Sequence, residues 1–173
     1  PMNIAYIITG LTMGGAETIT ANLAHVVATK GNNVCIIFLS GNQEIEISED
    51  IMTYNLNMRK SIFGFCKSYK KAISILLDFR PDIVHANMFH AIVFSRLLRL
   101  RIKIPKLIST EHSNNYHGNI RKLVEKYTDF LSDLNTNVSE QATAYFIQKG
   151  LFSAKKSIAM SNGVDLKKFY KNR

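Results

Sequence analysis

Two short runs near the start of the chain, Asn3–Thr9 (NIAYIIT) and Asn33–Leu39 (NVCIIFL), are apolar at nearly every position rather than at alternate ones. A strand that is apolar on both faces needs cover on both faces, and a parallel sheet flanked by helices supplies it. Between the two runs, Ala16–Lys30 carries Ile19, Leu23, Val26 and Val27 at helical spacing. Gly31 stands where such a helix ends on a left-handed residue. The theme then repeats. Met52–Leu56, Asp82–His85, Lys106–Thr110, Asn135–Val138 and Ser157–Met160 read as strands. Phe65–Phe79, Ala91–Leu100, Ile120–Leu131 and Glu140–Gln148 read as helices, the first stopped by Arg80-Pro81 because the residue before proline avoids helical backbone. Strand alternating with helix predicts an open, mostly parallel α/β sheet with right-handed crossovers and helices on both faces.

The length, 173 residues, fits one domain. With 46% hydrophobic and 20% charged residues, a disordered or fibrous chain is excluded. The net charge of +9 is unevenly placed: residues 1–58 hold one base and five acids, residues 59–173 hold 21 bases and eight acids. Such a skew points to an anionic partner on one part of the surface, whether nucleic acid, membrane or phosphorylated substrate. Cys35 lies in an apolar run and Cys66 near a basic helix, which suits a reducing cytoplasm better than a disulfide framework. A secretory signal is not visible, and no apolar run approaches the roughly 20 residues that span a bilayer.

Ligands of open α/β sheets bind beyond the carboxyl ends of the strands, so the residues just after each strand carry the functional information. The first such loop, Gly10–Gly15, puts paired glycines ahead of a helix N-terminus, an arrangement that lets backbone N–H groups approach a diphosphate. The same glycines also suit a plain tight turn, with Glu17 complementing the helix dipole. The spacing matches neither the dinucleotide GxGxxG nor a P-loop, and Ser40-Gly41 rather than an acid ends the second strand. His85 and His90 flank the end of one strand; His112 ends another and His117 follows it. His25 stands alone within the first helix, where a solvent-facing or packed role suffices. No HExxH spacing occurs and the cysteines lie elsewhere, so no metal is expected. Ser139 suits a helix cap as well as a ligand contact.

Taken in order, Gly14–Glu17 (GGAE), Arg80–His85 (RPDIVH), Ser109–Ser113 (STEHS), Asn137–Glu140 (NVSE) and Asn162–Phe169 (NGVDLKKF) make the chain resemble the group 1 (family four) glycosyltransferases. These enzymes have the two-domain GT-B fold, with Rossmann-like halves. The resemblance implies that this chain is a single Rossmann-like N-terminal, acceptor-side domain over residues 1–173, with the donor-binding C-terminal domain outside it. It implies a retaining transfer of a sugar from a UDP- or GDP-sugar to a hydroxyl of a glycan or lipid-linked acceptor, as in polysaccharide or glycolipid synthesis. No cofactor or metal is implied. By the same resemblance Gly14 and Gly15 face the donor diphosphate, and His112 stands beside the reacting sugar as the catalytic residue. Glu17, His85, Asn87, His90, Glu111 and Ser113 fall on the acceptor side. Asn162, Gly163 and Asp165 precede the interdomain crossover. The fragment alone is expected to be inactive.

Residues 59–106 hold 11 bases against two acids. Lys67, Lys70 and Lys71 fall on a helix near Phe63 and Phe65, and Arg96, Arg99, Arg101 and Lys103 alternate with leucine and isoleucine. A basic amphipathic helix beside exposed aromatics can rest on anionic lipid, so peripheral contact with the inner face of the cell membrane is expected. The competing reading is a basic α/β module that binds nucleic acid or an anionic surface without catalysis. It lacks a recognition-helix signature and zinc-finger spacing, and no nucleic-acid partner is expected.

Overall fold

The structure is a computed structural model that describes residues 1–114 and 118–161. In chain order it contains β1 (Asn3–Ile8), α1 (Gly15–Thr29), β2 (Asn33–Phe38), β3 (Met52–Asn55), α2 (Ile62–Phe79), β4 (Ile83–Asn87) and α3 (Phe89–Arg99). It continues through β5 (Lys106–Glu111), α4 (Asn119–Thr128), a 3-10 turn at Asp129–Leu131, β6 (Leu134–Asn137), α5 (Glu140–Gln148) and β7 (Ser157–Ala159). The seven strands form one sheet in the order β3-β2-β1-β4-β5-β6-β7, and all the pairings are parallel. This is the Rossmann-like α/β architecture that the apolar runs predict.

Period-two alternation divides the core into two layers. Ala5, Ile7, Cys35, Ile37, Val84, Ala86 and Leu107 face α2 and α3, whose Ala72, Leu76, Ile92, Phe94 and Leu98 complete the layer. Tyr6, Ile8, Val34, Ile36 and Phe38 face the other way, against Ala24, Val27 and Ala28 of α1. The helices therefore cover both faces of β1 and β2, which explains why those strands are apolar throughout.

Several boundaries differ from the sequence reading. Helix α2 starts at Ile62 rather than Phe65, because the Ser61 hydroxyl accepts from the Gly64 N–H and caps it. Strand β4 runs on to Asn87 and α3 begins at Phe89, so His85 lies inside the strand rather than at its end. The helix expected over Ile120–Leu131 ends at Thr128 and tightens into the 3-10 turn.

A larger difference concerns the basic segment. Arg96 does not reach solvent; it is 0% exposed and ion-paired to Glu125 at 2.6 Å, with Asp129 at 3.8 Å. Its guanidinium also donates to Ser132 Oγ, Thr128 Oγ1 and Asn135 Oδ1. Arg99 pairs with Asp133 at 2.6 Å. Two charges counted toward a basic surface are thus spent on joining α3 to α4 and to the segment before β6.

Candidate functional site

The chain passes from β1 outward to β2 on one side, while β4 continues to β5 on the other, so the order reverses between β1 and β4. A crevice opens at such a reversal, beyond the carboxyl ends of the strands. The loops that border it are Thr9–Gly14 after β1 and Met88 after β4, with the end of β5 beside them.

The first loop is held from below. Leu11 is fully buried and bridges to Gln43, and the Met13 N–H donates to Glu44 Oε2 at 3.2 Å. Gly14 has extended backbone at φ −139° and Gly15 is helical, conformations open to any residue, so a tight turn does not explain them. Gly14 has another reason: a side chain there would collide with the Glu17 carboxylate, which folds back over the first turn of α1. Nothing within 4 Å would oppose a side chain at Gly15. Helix α1 has no side-chain cap, and its first N–H groups have no intrahelical partner.

The next two strand ends meet directly. His112 Nε2 lies 3.1 Å from Asn87 Oδ1, while Asn87 Nδ2 donates to the His85 carbonyl at 3.3 Å. That amide orientation presents an oxygen to His112, so Nε2 carries the proton and Nδ1 is left as an acceptor. Behind this pair, His85 Nε2 is 2.7 Å from Thr110 Oγ1, and Thr110 Oγ1 is 2.5 Å from Thr136 Oγ1. The His85 ring packs 5.3 Å from the Tyr6 ring. Met88, between Asn87 and α3, has φ 73°, a costly conformation for a residue with a side chain; its N–H donates to the Thr110 carbonyl.

Burial, with a smaller push from His112, holds His85 down to about 4. Burial also lowers His112. Partial burial lowers His90, with Arg121 and Lys60 adding repulsion from two sides. Tyr6 is pushed up to about 12 by burial. At neutral pH the rings of His85 and His112 are uncharged and act by hydrogen bonding, to Thr110 and Asn87, rather than by charge.

Of the residues singled out by sequence, Asn87 and His112 come together at the open edge, and His85 supports them from inside the sheet. Glu111 is buried and accepts from the Ser113 hydroxyl at 3.2 Å, and Asn137 Nδ2 donates to the Ser113 carbonyl. His90 is exposed at the start of α3, beside Phe89. Ser139 caps α5 by accepting from the Ala142 N–H. His25 is exposed and bonds Ser48. His117 and the NGVD residues Asn162, Gly163 and Asp165 lie outside the described residues. Among the described residues no three His, Cys, Asp or Glu side chains gather as a metal site. Sequence reading missed Thr110 and Thr136; their signal was a threonine in each of two paired strands that turn polar toward their carboxyl ends, KLISTE and LNTN.

The model of glycosyltransferase family 4 matches residues 13–168. An uncharacterised glycosyltransferase of Haemophilus influenzae is 27% identical over 113 residues, which is 61% of this chain and 31% of that protein. Sucrose-phosphate synthase of Thermosynechococcus elongatus superposes with a TM-score of 0.81 at 18% identity, over 96% of this chain and 49% of that one. HepE of Anabaena, solved with UDP and glucose, gives a TM-score of 0.74 at 16% identity, over 96% of this chain and 46% of that one. The chain spans about half of those two structures and about a third of the Haemophilus protein. At these identities the solved structures show the shared fold, one Rossmann-like half of the GT-B type. With the family model covering residues 13–168, the chain belongs to glycosyltransferase family 4.

Proposed function

We propose that this domain forms the acceptor side of a retaining glycosyltransferase whose donor-binding domain lies outside these residues. The enzyme moves a sugar from a UDP- or GDP-sugar to a hydroxyl of a glycan or lipid-linked acceptor in polysaccharide or glycolipid synthesis. The observation that carries the reading is the His112–Asn87 hydrogen bond, set at the strand reversal beside a glycine loop with open space at Gly15. HepE, solved with UDP and glucose, supports a nucleotide-sugar donor.

In this reading the leaving diphosphate meets the N–H groups at Gly14 and Gly15 and the positive end of α1. Glu17 and Glu44 make this loop acidic, so cationic help for the phosphates comes from the other domain. His112, fixed by Asn87, offers Nδ1 to a sugar hydroxyl and orients it in the transition state. His85, through Thr110, keeps β4 and β5 in register behind the pair. Glu17, His90, Glu111 and Ser113 shape the acceptor side, and Asn162, Gly163 and Asp165 lead to the interdomain crossover. No metal or cofactor takes part. The enzyme works in the cytoplasm, at the inner face of the cell membrane. The exposed Ile62, Phe63, Lys67 and Lys70 of α2 support surface contact within residues 59–106.

The test uses the enzyme that joins this domain to its donor-binding domain, supplied with UDP- and GDP-sugars and soluble glycan acceptors. The product is expected to keep the anomeric configuration of the donor, read by NMR of the first product formed. Inversion, or turnover by the 173-residue chain alone, would contradict the reading.

A further inference from the structure

Helix α4 is built inside out. Ile120, Leu123 and Tyr127 on the helix, with Phe130 just beyond it, recur at intervals of three, four and three, which places them on one stripe. That stripe faces solvent: the four side chains are 79%, 52%, 68% and 73% exposed. The acids of the same segment, Glu125 and Asp129, point inward to the buried Arg96. The usual partition of an amphipathic surface helix is thereby reversed. With both acids consumed inside, the exposed charges of residues 119–130 are Arg121 and Lys126, both positive, while Lys122 is half-buried.

Further exposed apolar side chains stand at the start of α2. Lys60 and Arg121 both act on His90, so the starts of α2 and α4 flank the start of α3. Arg121 also lies over the Phe89 ring at 5.3 Å. The start of α2 adds Ile62 and Phe63, 87% and 81% exposed. Apolar side chains rimmed by cations thus run along the helices that begin at the edge carrying Asn87 and His112. A scattered exposed leucine needs no explanation, but a contiguous apolar stripe of this kind marks an interaction surface.

We propose that the outer face of α4 docks on an anionic lipid bilayer. Its apolar stripe enters the interfacial region, and Arg121 and Lys126 meet the headgroups. Tyr127 is the aromatic type that settles at the headgroup level, and Phe130 suits the apolar face of an interfacial helix. Charge decides the occupant. A second copy would bring two faces of like positive charge together, whereas anionic lipid neutralises them while the stripe buries its apolar area. The proposal rests on the lipid-linked branch of the acceptor reading and extends the contact beyond residues 59–106. It brings a membrane-borne acceptor to the edge where the site opens.

Co-sedimentation of the 173-residue chain with vesicles tests it. One set is phosphatidylcholine; the other is phosphatidylcholine mixed with phosphatidylglycerol. The chain is expected to pellet with the second set and not the first, with binding that weakens as salt rises. The combined Ile120→Ser, Leu123→Ser, Tyr127→Ser, Phe130→Ser variant should lose about 10-fold or more of that binding. So should the combined Arg121→Gln, Lys126→Gln variant. Both sets lie on the surface, and equal melting temperatures would show that folding is intact. Absent binding to anionic vesicles, or equal binding by the serine variant, would overturn the proposal. A dimer in sedimentation velocity that the serine variant abolishes, without vesicle binding, would assign the face to a second copy instead. Vesicle binding is read without any transferase assay, so failure here is distinct from failure of the proposed function.

Discussion

Around β1 and β2 the side chains buried between sheet and helices are nearly all apolar, from Ile4 and Ile7 to Val34, Ile36 and Ile37. Around β4, β5 and β6 the buried set is different: Asn87, Ser109, Glu111, Asn135, Thr136 and Asn137 on the strands, with Arg96, Glu125 and Asp129 beside them. One side of the sheet is held by removal of apolar area from water, roughly 25 cal/mol per Å². The other side is held by hydrogen bonds and ion pairs that must be complete, because a buried polar group left without a partner is costly. The proposed site sits on the second side. A core of hydrogen-bonded polar groups fixes side-chain directions at Asn87 and His112 in a way that interchangeable aliphatic contacts do not.

The sharpest way to break this comparison is at Arg96. Arg96→Ala leaves Glu125 buried without its cation and Asp129 with Lys156 alone, and should cost about 3–5 kcal/mol in urea denaturation. Arg96→Met combined with Glu125→Leu removes both charges and should recover most of that loss. A small cost for the single variant would mean that the polar side is held by something other than this network.

Acid separates the two sides by a similar but smaller amount. His85 is held down to about 4 in the folded chain, below the 6.5 of an exposed histidine. The unfolded chain therefore takes up the proton first, so stability is full above about pH 6.5 and is lost as pH falls toward 4. A shift of this size corresponds to about 3 kcal/mol at most. His90 and His112 are shifted in the same direction and add to the loss. Melting temperatures measured between pH 7 and 4 should fall, and His85→Gln should flatten part of that fall. An unchanged profile in the variant would remove His85 from the account.

The same division governs what the sequence could reveal. NIAYIIT and NVCIIFL announce buried parallel strands because nearly every position is apolar, and the structure gives both a neighbour on each side, β1 between β2 and β4 and β2 between β1 and β3. Arg96 misled for the complementary reason. Charge counting treats every arginine as surface, and only the later Glu125 and Asp129, 29 and 33 residues on, turn this one inward. The helix start at Ile62 was legible in Ser61, a good cap, but the apolar period of α2 drew the boundary three residues later. The end of β4 was read two residues early, at His85, and the Asn87–His112 hydrogen bond was not legible, because it depends on the register of β4 with β5. The outward stripe of α4 has the spacing of any core-facing helix, and only burial reveals that it faces away from the core.

The central claim is that the edge where Asn87 holds His112 orients the sugars during transfer. It is tested most directly by the kcat of His112→Ala, in the enzyme that joins this domain to its donor-binding domain, with nucleotide sugar and acceptor at saturation. The account predicts a fall of about 100-fold or more, with the melting temperature little changed. A His112→Ala enzyme that turns over at nearly the native rate would contradict it.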